Sequence, residues 1–397
     1  MRLPLLLTAC LFALPAAAEV WPVAPGPDAE EALQEALILA EPGDEVVLAA
    51  GTYVIKNQLS IDAENITLRG AGIDASTLSF KGQTGGGEGI LVTGNGTILK
   101  DFAVEDTAGD GIKSKGVDGF AILRVRMEWT NGPDKDNGAY AFYPVQTKNV
   151  LIDGAVAIGA SDAGIYVGQS DKIIVRNSRG EYNVAGLEIE NSFNADVHDN
   201  VMPNNTGGFL VFDLPEIPQQ GAHNVRFCDN VSVANNTKNF APEGNIVGLV
   251  PAGTGMLIMG NRDVEVFNNS FKDNNTVQIA LISYVKETDD ETYTPNPTRI
   301  HIHHNSFENG GTKPDDGDFG TLIKEIVGAP VSDIVWDGVM PIWRYMLVGM
   351  SSDDRHSIHD NTHDRENHYA NADFIGWFSF FNHSLTHDMS EHNATLP

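Results

Sequence analysis

Apolar and polar residues alternate along short segments of the chain, and a glycine precedes many of these segments. Gly164, Gly186 and Gly208 each open such a segment, and they lie 22 residues apart. Alternation with a period of two predicts β-strands whose successive side chains face opposite sides. A second apolar segment follows, as in "IIVRN" from Ile173 and "VRFCDN" from Val225. The repeat therefore predicts stacked coils, each made of several short strands.

Asparagines mark one turn of this repeat. Four of the second segments end in asparagine at the same register, at Asn200, Asn230, Asn269 and Asn305. A coil of about 22 residues cannot bury its own apolar face, so neighbouring coils must stack on it. Equivalent residues of stacked coils then lie about 4.8 Å apart. We expect the amide side chains to bond from coil to coil as a polar ladder.

The two ends of the repeat differ from its middle. The segment "DAEEALQEALILAEPGD" predicts an amphipathic helix that covers the first coil and protects its open edge. After Asn305 the rhythm loosens, although "SIHDN" fits one last coil that ends at Asn361. We therefore assign residues 19–310 to the repeat with its N-terminal cap. Residues 311–397 are assigned to a C-terminal coil and cap extension of the same domain.

These glycine-led strands and asparagine turns resemble the right-handed parallel β-helix proteins of the pectin-lyase-like superfamily, over roughly residues 24–310. The run "GASDAGIYVGQS", with "GLEIENS" and "VFDLP", also resembles a group of exported parallel β-helix repeat proteins. The resemblance implies an all-β chain, a single-stranded right-handed parallel β-helix (solenoid) with an N-terminal capping helix and an irregular C-terminal cover. The superfamily includes lyases, hydrolases, epimerases, esterases and non-enzymes, so the fold alone selects no activity.

The first eighteen residues, "MRLPLLLTACLFALPAAA", join a basic start, an apolar stretch and a small-residue cleavage site. This order predicts a secretory signal peptide over residues 1–18 and a secreted or periplasmic protein. Lipidation at Cys10 is the alternative. If Cys10 leaves with the signal, only Cys228 remains, so no intrachain disulfide forms. No later stretch is apolar and long enough to predict a membrane span.

Charge narrows the choice of partners. The chain has 54 acidic and 25 basic residues, which gives a formal net charge of −29. Such a surface repels nucleic acid and anionic membranes, so neither is expected as a partner. It also opposes a polyanionic substrate unless basic residues are gathered in one groove.

The outward positions of the glycine-led strands change chemistry from coil to coil. Aligning the strands by their glycines gives one column of Lys113, Tyr140, Tyr166, Glu188 and Leu210, and a second of Lys115, Phe142, Gly168, Glu190 and Phe212. Just past the strands follow Tyr143, Gln169, Asn191 and Asp213. Long insertions flank the sheet and predict a groove for an extended polysaccharide. Leu210, Phe212, Leu257 and Met259 are expected to be covered by loops.

Two reactions fit the polar columns. Lyase or C5-epimerase chemistry on a uronate needs a cation, a base and an acid; Lys113 or Lys115 would supply the first two, and Tyr140 or Tyr166 the third. We expect crowding to lower the pKa of a lysine here. No "DPHD" epimerase motif and no aligned aspartates of the pectate-lyase calcium site occur. We favour this chemistry, with Tyr143, Gln169 and Asn191 binding substrate.

Glycoside hydrolysis is the first alternative. Glu188 and Glu190 are two residues apart on one face, so about 6–7 Å separate them, at the low end of the inverting range of roughly 6.5–9.5 Å. Asp213 on the next coil would raise a carboxyl pKa, as an acid catalyst requires.

A non-catalytic periplasmic protein that binds glycan, metal or a partner is the second alternative. Its signal is the late histidine cluster, with His301, His303 and His304 in "HIHHN" and further histidines at His356, His359, His363, His368, His383 and His387. Imidazoles favour a transition metal, and the acidic loops "GPDKDNG" and "KPDDGDFG" suggest calcium. No cofactor is required by the expected reactions, and the metal ligands and oligomeric state stay open.

Overall fold

The computed structural model describes residues 18–284, 286–347, 349–378, 384–390 and 392. Its strands are β1 Val20–Val23, β2 Glu45–Leu48, β3 Gly51–Val54, β4 Asn57–Ile61, β5 Thr67–Arg69, β6 Ser76–Ser79, β7 Gly85–Val92, β8 Thr97–Glu105, β9 Ile112–Lys115, β10 Asp118–Glu128, β11 Tyr140–Val145, β12 Lys148–Asp153, β13 Val156–Ile158, β14 Ala163–Gly168, β15 Asp171–Arg176, β16 Arg179–Glu181, β17 Ala185–Glu190, β18 Phe193–His198, β19 Val201–Pro203, β20 Gly207–Phe212, β21 His223–Cys228, β22 Val231–Val233, β23 Thr254–Met259, β24 Arg262–Phe267, β25 Ser270–Lys272, β26 Val277–Ile282, β27 Thr298–His303, β28 Ser306–Glu308, β29 Ile334–Trp336, β30 Ser357–His359, β31 Thr362–His363 and β32 Tyr369–Asn371. The helices are α1 Ala29–Leu39, α2 Asp318–Val327, α3 Ile342–Leu347 and α4 Phe374–Phe378, with a 3₁₀ turn at Ile246–Leu249.

A typical coil contains three strands, such as β14, β15 and β16. The first strands of successive coils form one sheet, in the order β4, β7, β9, β11, β14, β17, β20, β23, β26, β29 and β32. The second and third strands join in one 21-stranded sheet. The strand pairs β14–β17, β15–β18 and β16–β19 are all parallel. Gln169 and Asn177 make the sharp turns between strands with φ of 50°. The predicted parallel β-helix is confirmed.

The leading glycines lie where two coils approach most closely. A Cβ on Gly186 would lie 2.7 Å from the carbonyl oxygen of Gly208, and one on Gly208 would lie 2.6 Å from that of Gly255. These distances are shorter than any side chain tolerates. The repeated glycine therefore reflects close backbone approach rather than an unusual φ angle.

Buried asparagines form two ladders along the coils. Each amide oxygen accepts bonds from the backbone N–H and the Nδ2 of the preceding rung, as between Asn200 and Asn230, both at 3.0 Å. This ladder runs through Asn200, Asn230, Asn269, Asn305 and Asn361. A second, not predicted, runs through Asn183, Asn205, Asn235 and Asn274. The predicted ladder and the last coil at Asn361 are both present.

The hydrophobic core fills the inside of the coils. Helix α1 covers the first coils and buries Leu33 and Leu37 against them, as predicted. A strand not expected from the sequence, β1, precedes this helix and pairs with β2. A second hydrophobic cluster lies outside the first sheet and includes Leu210, Phe212 and Val250. No helix in the described part of the chain is long and apolar enough to cross a membrane.

Candidate active site

The register of the first sheet decides which outward side chains meet. The first outward column runs Leu91, Lys113, Tyr143, Tyr166, Glu188 and Leu210. The column beside it runs Lys115, Val145, Gly168, Glu190 and Phe212. Cations, aromatic rings and carboxylates therefore follow one another along one face, as expected.

The alignment of one coil differs from the expected one by three residues. The glycine alignment starts this strand at Gly138. In the structure, the fully buried Phe142 pairs with Ile112, the core residue that begins the strand of the preceding coil. Consequently Tyr143, not Tyr140, pairs with Lys113. The position of the following strand would have given the correct register. β12 begins three residues after β11 ends, just as β15 begins three residues after β14 ends.

Three tyrosine rings nevertheless meet on this face. The ring centroids of Tyr140 and Tyr143 are 4.4 Å apart, and Tyr166 lies 4.6 Å and 5.0 Å from them. Tyr140 and Tyr143 remain partly exposed, whereas Tyr166 is buried. Burial and nearby carboxylates raise the pKa of Tyr140 and of Tyr166. These phenols therefore stay protonated at neutral pH and can donate hydrogen bonds.

Lys113 is already paired. Its Nζ lies 3.0 Å from Glu88 and 3.6 Å from Asp110, and 4.6 Å from the ring centroid of Tyr143. Burial favours a lower pKa of Lys113, but the bond from Lys113 to Glu88 and the charge of Asp110 outweigh it, so that this pKa is raised. The expected lowering is wrong, and Lys113 is a fixed cation rather than a base. Lys115 is exposed at the end of its strand.

Asp162, which the sequence reasoning missed, joins the two glutamates. It is 5% exposed, accepts a bond of 3.3 Å from Asn245, and lies 3.5 Å from the hydroxyl of Tyr140. Its Oδ1 has no hydrogen-bond partner within the described residues. Burial and the charge of Glu190 raise the pKa of Asp162 to about 7. The sequence could have indicated Asp162 by its position, because it is an acidic residue just before a glycine-led strand.

Glu188 and Glu190 lie beside Asp162 with different surroundings. Glu188 is 1% exposed, and burial with the charges of Glu190 and Asp162 raises its pKa well above the usual range. Glu190 is partly exposed and accepts a 2.7 Å bond from the hydroxyl of Tyr166. Burial raises the pKa of Glu190; the bond from Tyr166 acts against this and the charge of Asp213 adds to it. The cluster therefore holds one or more protons near neutral pH.

Asp213 and Asn191 hold a loop. Asp213 accepts bonds from Asn191 and from the backbone N–H groups of Gly221 and Ala222, at 2.9 to 3.1 Å. The Nδ2 of Asn191 also donates to the carbonyl oxygen of Leu214, and its Oδ1 accepts a bond from the backbone N–H of Leu214. Burial raises the pKa of Asp213 to about 6, although these bonds oppose it. Both residues are placed to fix residues 214–222 to the end of the strand.

Gln169 is the remaining residue that the sequence predicts to bind substrate. It lies at the same turn as Asn191, one coil earlier. Its Oε1 accepts a 3.3 Å bond from Gln146, and its side chain is partly exposed.

Comparison with known proteins identifies the architecture. A family model described as "Right handed beta helix region" matches residues 60–237, which contain the lysines, the three clustered tyrosines and the carboxylates of the candidate active site. The chain is a right-handed parallel β-helix. No curated protein sequence matches it.

Solved structures share this β-helix at low sequence identity. The A-module of mannuronan C-5 epimerase AlgE4 from Azotobacter vinelandii is 16% identical with a TM-score of 0.54, over 85% of this chain and 91% of that one. DFA-IIIase from Arthrobacter chlorophenolicus A6 is 12% identical with a TM-score of 0.53, over 86% and 98%. The catalytic unit of a GH87 α-1,3-glucanase from Streptomyces thermodiastaticus is 18% identical with a TM-score of 0.51, over 88% and 54%. At identities this low, the structural similarity shows a shared fold alone.

Loops cover the C-terminal half of this face of the β-helix. Leu210, Phe212, Leu257 and Met259 are at most 8% exposed, as expected, with Val250 packed among them. A cavity of only about 70 Å³ remains between these side chains and the loops. In the described part of the chain, the groove predicted from the sequence is therefore closed over this half of the sheet. The accessible part of the cluster lies at Tyr140, Tyr143 and Glu190.

The histidines of the β-helix separate into distinct groups. His301, His303 and His359 meet on the outer face of the second strands, and His301 Nε2 lies 3.0 Å from His359 Nε2. His363 instead bonds Asp333 at 2.8 Å. The remaining predicted members are elsewhere: His356 is buried beside Trp336, His368 stacks on His363, and His387 bonds Tyr369. His383 lies outside the described residues.

The acidic loops do not form a comparable cluster. Among the residues that the structure describes, one group of at least three carboxylate, imidazole or thiolate ligand atoms lies within 4.8 Å, at Glu265, His301 and His303. Neither loop predicted to hold calcium belongs to it.

Proposed function

We propose that this β-helix is an exported carbohydrate-active enzyme that hydrolyses glycosidic bonds at the cluster of Asp162, Glu188 and Glu190. The observation that carries the proposal is a group of three carboxyl groups near tyrosine rings, whose pKa values are all raised by burial, with the charge of Glu190 raising the pKa values of Asp162 and Glu188 further. Glycosidases use such a pair, one carboxyl protonated and the other ionised. The fold shared with a GH87 glucanase is consistent with it.

The roles follow from the surroundings of each group. Asp162, with a pKa of about 7, is buried and supplies the proton for the leaving oxygen through the hydroxyl of the partly exposed Tyr140, which lies 3.5 Å away. Glu190 accepts a hydrogen bond from Tyr166, which favours its ionised form, so it serves as base or nucleophile. Glu188 is too deeply buried to touch a sugar and keeps its proton. Tyr140 and Tyr143 offer partly exposed rings on which a sugar ring can stack.

The test uses neutral and acidic glycans, with new reducing ends and unsaturated-uronate absorbance followed together. Asp162→Asn and Glu190→Gln should each lower the rate by about 10²- to 10⁴-fold. Asp196→Asn, a change of an exposed carboxylate on the other sheet, should leave it unchanged. Reducing ends that appear equally with the Asp162 and Glu190 variants would contradict the proposal.

Lyase or C5-epimerase chemistry on a uronate remains the second candidate. Its supporting observation is the sequence Lys113, Tyr143, Tyr166 and Glu188 along one column, with Lys113 facing the Tyr143 ring. Against it, Glu88 and Asp110 already neutralise Lys113. Absorbance that rises for the parent and not for Lys113→Ala would favour a lyase, and exchange of the C5 proton without cleavage would favour an epimerase.

A further inference from the structure

Three consecutive coils bring imidazole and carboxylate groups together on the sheet away from the proposed active site. Strands β24, β27 and β30 are in register, so that Glu265 pairs with His301, and His303 pairs with His359. The intervening residues, among them Ile302, face the core. The four polar side chains therefore project from one patch of the outer surface, which is three coils wide and two outward positions long.

Donor atoms of three of these residues are close enough to share one ion, because one atom from each of Glu265, His301 and His303 lies within 4.8 Å of the others. Glu265 Oε1 lies 3.3 Å from His303 Nε2 and 3.9 Å from His301 Nδ1, whereas His301 Nε2, the other nitrogen of that ring, lies 3.0 Å from His359 Nε2. Two ligands about 2.0–2.1 Å from a tetrahedral ion are separated by about 3.3–3.4 Å. We propose that Glu265, His301 and His303 bind a divalent transition-metal cation of the zinc type.

Neighbouring residues orient these ligands, as hydrogen-bond partners of metal ligands commonly do. The carboxylate of Asp360 lies 2.8 Å from Nδ1 of His359, which places a proton on that nitrogen and lets His359 Nε2 accept the proton of His301 Nε2, so that His301 Nδ1 is left to bind the ion. Arg226 donates to Oε2 of Glu265 at 3.1 Å, leaving Oε1 directed toward the histidines. Imidazole nitrogen favours zinc, copper or nickel over calcium or magnesium.

The experiment measures Zn²⁺ binding by the chelator-treated full chain, with calorimetry and the metal content after dialysis. We expect one Zn²⁺ per chain, and a melting temperature that rises with Zn²⁺ concentration. His301→Gln and His303→Gln should each weaken binding by at least 100-fold, and His359→Gln and Asp360→Asn, which act through His301, by about 10- to 100-fold. His198→Gln, which changes a histidine of the same column as His303 three coils away, should bind as the parent does.

Co²⁺ gives a readout that does not depend on activity. In a tetrahedral site of nitrogen and oxygen ligands it absorbs in the visible, and this band should be absent with His301→Gln. Failure of the parent to bind Zn²⁺ or Co²⁺, or variants that bind like the parent while keeping its melting temperature in chelator, would overturn the assignment. Since the site lies on the other sheet, either result leaves the proposed hydrolase untouched.

Discussion

The hydroxyl of Tyr166 donates a 2.7 Å hydrogen bond to Glu190 on the next coil. The tyrosine reaches this partner because its ring lies across the position of Gly168, where a Cβ would be 2.2 Å from the hydroxyl and 2.4 Å from ring carbons. The absence of a side chain at one position thus sets the surroundings of a carboxylate on the adjoining strand.

Replacing Gly168 with alanine should therefore displace the Tyr166 ring. We expect the free energy of unfolding to fall by about 1–3 kcal/mol, the usual cost of overpacking, as measured by urea denaturation. In a Tyr166→Ala background the same change should cost much less, because the clash is gone. Gly87→Ala is the control, since a Cβ there meets nothing within 4 Å; equal losses in both glycine variants would contradict the argument.

Asp162 should make stability depend on pH. Its folded pKa of about 7 exceeds the value of about 3.9 in an unfolded chain. Its contribution is thus fully present below pH 4 and is lost as the pH rises through 7. Asp162→Asn should gain stability relative to the parent as the pH rises from about 4 to 7, by up to about 1.4 kcal/mol per pH unit, and the difference should level off above pH 7.

The quantity to measure is the difference in the free energy of unfolding between the parent and Asp162→Asn. Buried His356, with a pKa lowered to about 3, loses its contribution as the pH falls below 6.5, but it does so in both proteins. Urea midpoints of parent and variant at each pH therefore isolate Asp162. A constant difference across this range would show that Asp162 titrates normally.

Asp213 should prove to be an anchor for residues 214–222 rather than a catalyst. Asp213→Ala removes the acceptor of the backbone N–H groups of Gly221 and Ala222 and of Asn191, at a cost of about 1–3 kcal/mol for each buried group left unpaired. We expect faster proteolysis within this loop, while hydrolytic activity at a temperature where the protein stays folded falls far less than in Glu190→Gln. A loss of activity equal to that of Glu190→Gln would restore Asp213 to the catalytic set.

A middle rung of the ladder should matter far more than a surface asparagine. Asn230→Ala deletes the acceptor for Asn200 and the donor to Asn269 and Val197. With several buried groups unpaired, unfolding should become easier by about 3 kcal/mol or more. Asn236→Ala, which removes only exposed side-chain bonds to Asp273 and Asn275, should change the free energy of unfolding by less than about 0.5 kcal/mol.

Cleavage of the predicted signal peptide after Ala18 should create an ion pair. The backbone N–H of Glu19 already donates to Asp44 at 2.7 Å, and Asp44 is 6% exposed. A new α-ammonium at this position would face that carboxylate directly. Mass spectrometry of the exported protein should find Glu19 first, and Asp44→Asn should destabilise that form; a mature chain that starts elsewhere removes the expectation.

The repeat could be predicted because its cause is local and recurs. The glycines, the alternating strands and the ladder asparagines each obey a rule that acts within one coil and its neighbour. The register at Tyr140 could not be taken from glycine spacing, because an inserted loop before it moves Gly138 away from its usual place. Pairings between distant segments were also hidden, as with Asp162 and Asn245, 83 residues apart, or His301 and His359.

The intervals between ladder rungs have a consequence for how such a protein changes. Successive rungs are separated by 30, 39, 36 and 56 residues, yet their bonds stay between 2.9 and 3.0 Å. The geometry of a rung therefore does not depend on how many residues are inserted before the next rung. Loops can be lengthened, exchanged or lost between coils while the spine keeps its spacing, so new surfaces arise on an unchanged frame.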